Sequence, residues 1–214
     1  MKNLLLFTLL IGLTFNLSAQ DTDATDDYNK WQVRLRLISV IPNESADIEA
    51  IGGDVEISTA FVPELDFTYF FSKHWAAELI LGTTKHDVEA VKTAVGDIDL
   101  GHVWLLPPTL TLQYHFYAGD FKPYLGAGVN YTIFYGVDEG PVADDVDYDS
   151  SFGLAFQGGI DYNINDKWFL NLDAKYIFIN TDATVDATSA LGATVGADVD
   201  INPLVIGLGV GMKF

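Results

Sequence analysis

Leu204-Val205-Ile206-Gly207-Leu208-Gly209-Val210-Gly211-Met212-Lys213-Phe214 closes the sequence, and its pattern decides the fold. Read with a period of two, Leu204, Ile206, Leu208, Val210, Met212 and Phe214 share one face. Val205, Gly207, Gly209, Gly211 and Lys213 share the other, so a bulky apolar face backs onto a small one.

The same alternation recurs upstream. Trp31, Val33, Leu35 and Leu37 oppose Gln32, Arg34, Arg36 and Ile38, and Phe61, Pro63, Leu65, Phe67 and Tyr69 oppose Glu64, Asp66 and Thr68. Further runs begin at Trp75, Leu110, Leu125, Phe152 and Trp168, which brings the count to eight. Short turns at 71–74, 118–122 and 163–167 alternate with long links near 41–58, 86–102, 136–150 and 180–201. Aromatic residues gather at strand ends: Trp31, Tyr69, Trp75, Phe116, Tyr162, Trp168 and Phe214. A soluble sandwich turns its apolar face inward and needs neither an aromatic belt nor this rhythm. The pattern predicts an all-β fold, an eight-stranded antiparallel transmembrane β-barrel of the outer-membrane type, assembled by the barrel assembly machinery through the strand ending in Phe214.

Composition agrees. Among 214 residues, 30 are acidic and 11 basic, for a net charge of -19. That leaves too little cation to build a nucleic-acid face. There is no cysteine, hence no disulfide, thiolate metal site or Cys nucleophile. Residues 1–19 read as a secretory signal peptide, with Lys2, an apolar run from Leu4 to Leu17 and cleavage expected after Ala19. Residues 20–214 then form a single barrel domain in which no apolar run is long enough for a membrane helix.

The inward face divides by height. Arg34, Arg36, Glu64, Asp66, Glu78, Asp161, Asp173 and Lys175, with Lys213, fall in the lower or middle lumen, where opposite charges can neutralise one another and plug the bore. Higher up, Ile38, Val40, Val62, Ile80, Leu105, Phe134, Ile177, Ile179 and Val205 point toward the axis and suggest a pocket for greasy solutes. Pro107 and Pro108 cannot donate ladder hydrogen bonds, so they mark either a bulge or strand end or a gap in the wall that offers a sideways exit into lipid. The long links are acidic, with Glu44, Asp47, Glu49, Asp54 and Glu56 in the first and Asp138, Glu139, Asp144, Asp145, Asp147 and Asp149 in the third. Asp145-x-Asp147-x-Asp149 has Ser150 at the sixth position and Phe156 at the twelfth, which excludes an EF-hand. His74, His86, His102 and His115 are scattered, and no catalytic, cofactor or metal motif stands out.

Leu106-Pro107-Pro108-Thr109-Leu110, Gln113-Tyr114 and Phe121-Lys122-Pro123-Tyr124-Leu125-Gly126-Ala127-Gly128-Val129-Asn130-Tyr131-Thr132 resemble the signature of the outer membrane protein W (OmpW) family. Asp161-Tyr162, Lys167-Trp168, the stretch 200–203 and the Gly-rich last strand match that family as well, so the resemblance covers nearly the whole mature chain. It implies a small barrel in the outer membrane of diderm bacteria, among membrane lipids and lipopolysaccharide, passing small hydrophobic molecules. A different expectation rests on loop charge: a surface receptor or envelope stabiliser whose acidic loops engage cations.

Overall fold

The structure, a computed structural model, describes residues 29–214; the expected signal peptide lies outside them. In chain order the first strands are β1 (Trp31–Ile41), β2 (Ser45–Ile48), β3 (Asp54–Ile57), β4 (Ala60–Phe70) and β5 (Trp75–Gly82). There follow β6 (Thr84–Thr93), β7 (Gly96–Leu106), β8 (Thr109–His115), β9 (Phe121–Glu139) and β10 (Asp145–Tyr148). The chain ends with β11 (Ser151–Asn163), β12 (Trp168–Ile177), β13 (Asn180–Ala187), a single helical turn α1 (Thr188–Leu191), β14 (Ala193–Asp200) and β15 (Leu204–Lys213).

Eight of these strands close a barrel, each antiparallel to its neighbours: β1 pairs β4, then β5, β8, β9, β11, β12 and β15 follow, and β15 returns to β1. Closure leaves no open edge, as a sheet within lipid requires. Burial follows the period of two, with Arg34 and Arg36 inside while Leu35 and Leu37 are 60% and 64% exposed. Phe61 and Leu208 are similarly exposed on the outer wall, at 73% and 65%. An apolar surface this continuous is a lipid-facing wall. At the end bearing the short turns and the Trp31–Phe214 closure, Trp31 packs on Tyr69, Trp75 on Tyr114 and Phe121 on Tyr162, forming the periplasmic aromatic belt.

Glycines on the inner face admit large side chains from neighbouring strands. A Cβ at Gly211 would stand 2.1 Å from the Phe169 ring, and one at Gly159 would stand 2.4 Å from the Tyr124 ring. Phe169 and Tyr124 are thereby buried inside a narrow barrel.

The long links are not loops. β5 and β8 continue beyond the membrane as β6 and β7; β3 joins β6, β7 also pairs the upper part of β9, and these make one sheet. β10, β13, β14 and β2 make a second. The outer face of β6 carries exposed Lys85, Asp87 and Glu89, which places it above the hydrocarbon. The two sheets stand on the barrel's extracellular rim, with mostly apolar residues lining the space they enclose.

Candidate functional site

The lower lumen is filled. Arg34, fully buried, donates from Nη1 to Asp66 at 3.1 Å, Thr68 at 2.7 Å and Glu78 at 2.7 Å, and from Nη2 to Gln32 and Asp161, both at 3.3 Å. Arg36 contacts Glu64 at 2.9 Å, Asp66 at 2.6 Å, Glu78 at 3.2 Å and Asp173 at 3.3 Å. Lys175 bridges Glu64 at 2.7 Å and Asp173 at 3.1 Å. All eight ionic residues expected from the sequence meet in one network, none more than 5% exposed.

Neutral polar side chains complete it, and sequence reading did not assign them to it. Gln113 and Gln157 each donate to Glu78 at 2.7 Å, the Tyr124 hydroxyl donates to Asp173 at 2.6 Å, and Asn171 donates to Asp161 at 2.8 Å. Their inward parity was the available signal. Lys213 sits apart, lower down, and bonds Asn163 at 2.5 Å.

Directly above the network lies a small apolar cavity of about 40 Å³, walled by Ile38, Val40, Ile80, Ile177, Ile179 and Val205, with Glu64 and Lys175 in its floor. Leu105, His86 and Ile201 line both this cavity and a larger chamber above it, of about 70 Å³. The chamber brings Val55, Val88 and Val103 of one sheet opposite Ala183, Val195 and Val199 of the other. Phe134 lines the chamber and stacks on Tyr148 at 5.5 Å, and burial pushes the Tyr148 phenol up to about 12. Val62 is half-buried and packs against the same apolar cluster without lining either cavity.

His86 marks the neck. Its Nδ1 lies 2.6 Å from the Ser58 carbonyl, which fixes the proton there, so Nε2 accepts from the Thr84 hydroxyl at 3.0 Å. Burial holds its pKa below the ordinary histidine range, although the Ser58 carbonyl pulls the other way.

The wall is interrupted beside the prolines. The β5–β8 ladder ends at Ile80–Thr109 and the β6–β7 ladder begins at Thr84–Leu105, so residues 81–83 face residues 106–108 without regular pairing. The Thr83 side chain spans this break, donating to the Leu105 carbonyl at 3.0 Å and lying 2.6 Å from the Tyr135 hydroxyl, while on the other side of the proline strand Asn130 of β9 donates to the Pro107 carbonyl at 3.2 Å. Gly82 and Pro107 both line the lower apolar cavity, so the break abuts it.

On the outer face of the second sheet, Asp47, Asp198 and Asp182 stand side by side across three strands. Among the described residues no three His, Asp or Glu side chains converge to hold a metal ion.

Comparison with known proteins agrees with this architecture. The OmpW family pattern matches residues 28–214. The uncharacterized outer-membrane protein y4mB of Sinorhizobium fredii is 46% identical over 186 residues, covering 86% of this chain and 80% of its own. The dibenzothiophene metabolism operon protein PahQ of Pseudomonas aeruginosa is 31% identical over 195 residues, covering 86% and 88%. The crystal structure of the outer membrane protein OprG from Pseudomonas aeruginosa superposes with a TM-score of 0.80 at 32% identity, covering 87% of this chain and 96% of that one. The chain belongs to the OmpW family of outer-membrane β-barrels.

Proposed function

We propose that this barrel passes small hydrophobic molecules from the cell surface into the outer membrane. The observation that carries the reading is the stacking of an almost wholly apolar chamber on a sealed ionic floor. A greasy solute gains by entering, because the chamber replaces its hydration shell with aliphatic wall. It cannot continue downward through buried, mutually paired charges. The lower cavity abuts the broken ladder at Gly82 and Pro107, so the remaining way out is lateral, past Pro107 and Pro108 into lipid. Leu105, shared by both cavities, lies on that path, as do Ile38, Ile80, Ile177 and Val205, with Phe134 above. The name of the PahQ relative refers to dibenzothiophene, an apolar aromatic, which fits this solute class.

The test is uptake of a hydrophobic fluorophore into proteoliposomes carrying the wild type or the Leu105→Asp, Phe134→Asp double variant. A carboxylate at the neck without a partner strongly disfavours an apolar occupant, so uptake should fall toward the protein-free rate. Equal uptake by both proteins overturns the reading.

A further inference from the structure

We propose that the periplasmic mouth of the barrel holds a binding site for a small oxyanion, built on Lys122 and Gln32. The mouth opens as a vestibule whose lining includes Gln32, Phe70, Lys122, Asn163 and Lys213. Lys122 is 5% exposed and Gln32 2% exposed, yet both border this hollow.

The Lys122 ammonium stands 3.9 Å from the centroid of the Phe70 ring and forms no ion pair among the described residues. Asp161, its register partner between β9 and β11, turns its carboxylate to Arg34 at 3.3 Å and to Asn171 at 2.8 Å. A ring face offsets part of the ammonium's desolvation but supplies no lone pair for its three N–H donors. Gln32 shows the same imbalance. Its carbonyl accepts from Arg34 at 3.3 Å, and the amide NH2 has no acceptor among the described residues. Lys213 adds a third group, one of its donors being taken by Asn163.

Nearly buried donors are normally matched with acceptors. Two such groups, Lys122 and Gln32, border one hollow beside the half-buried Lys213, and together they are complementary to a carboxylate or phosphate. Asp120 and Asp166 also line the vestibule, and among the described residues Lys73, Lys122, Lys167 and Lys213 stand with them at the periplasmic end, whereas Lys85 and Lys92 are the lysines of the acidic extracellular extension. The ionic network closes the lumen above the vestibule, so the anion binds there and does not traverse the barrel. This inference is independent of the hydrophobic route.

The oxyanion has two possible sources: a solute, or a carboxylate of this chain, because Asp26 and Asp27 precede Asn29, another vestibule residue, in the sequence. The experiment is a titration of the folded mature chain in micelles with inorganic phosphate at low salt, read by calorimetry and by amide shifts in NMR spectra. Saturable binding is expected, with shifts centred on Lys122, Gln32 and Lys213. Lys122→Met should weaken it by about tenfold or more, as loss of a charge-assisted hydrogen bond does. Gln32→Leu should weaken it less, and it decides the matter if the lysine variant does not fold. Tighter phosphate binding in Asp26→Asn, Asp27→Asn identifies the chain's own carboxylates as the competing occupant, whereas unchanged binding identifies a free solute. Shifts elsewhere only, or undiminished binding in the folded Lys122→Met and Gln32→Leu variants, would overturn the proposal.

Discussion

Arg34 shows what a single inward residue must satisfy in a barrel this narrow. Its guanidinium is fully buried and meets five acceptors, three of them carboxylates. Replacing an entire buried ion network by apolar packing can be neutral, but removing one partner leaves charge uncompensated. Arg34→Met should therefore destabilise the barrel by roughly 3–5 kcal/mol, measured by urea unfolding in lipid vesicles. His86 is expected to act through pH. Its folded pKa is depressed by burial, so the unfolded chain binds a proton that the fold excludes. The resulting stability is present above the unfolded value of about 6.5 and is lost as pH falls below it toward the folded value. Amide exchange in β6 and β7 should accelerate on acidification, and His86→Gln should flatten that response. The charged inward residues were legible in sequence because strand parity alone selects them. Tyr124 and Phe169 carry the same inward parity, but that side chains so large fit there depends on room left by Gly159 and Gly211 on neighbouring strands, a relation fixed only by register.

The extension is where reading by element went astray. Stretches such as Asp54-Val55-Glu56-Ile57 and Asp182-Ala183-Thr184-Val185-Asp186-Ala187 alternate as strands do, but their inward residues are small and their outward residues acidic. Composition resembled a solvated loop, while period two was already present and the two sheets use it to enclose the chamber. The acidic outer face has an energetic cost. Asp182 lies directly across from Asp198, and a carboxyl hydrogen bond between them raises the Asp182 pKa. The fold therefore favours the protonated acid, a contribution that is present at low pH and lost as pH rises through the folded value. Like charges directly opposed destabilise a strand pair. Asp198→Asn should slow amide exchange across β13, β14 and β2 at neutral pH, with a smaller effect in acid. Unchanged exchange at both pH values would show that the pair contributes nothing.

Among the described residues charge is ordered along the barrel axis, with an acidic extension outside, a mutually paired network within the membrane and several lysines at the periplasmic end. The apolar belt between these ends holds the barrel in lipid, and the strand that closes it, β15, ends beside the exposed Phe214. If that residue is the feature recognised during assembly, deleting it should reduce heat-modifiable barrel in outer-membrane fractions. Conduction tests the molecule at the same scale. An ion crossing the membrane through the lumen would have to pass Arg34, Arg36, Glu78, Asp161 and Asp173, all within 1% of complete burial. Eight strands enclose an interior just wide enough for their own side chains, so this network fills the bore instead of lining it. Charged walls conduct only where water separates them. In planar bilayers the wild type should show no steady ionic current, while Arg36→Ala combined with Glu78→Ala, which removes a cation and an anion from the centre of the network, should open measurable conductance. Steady current through the wild type would mean that the floor is open, and a solute in the upper chamber would then have no need of a lateral exit.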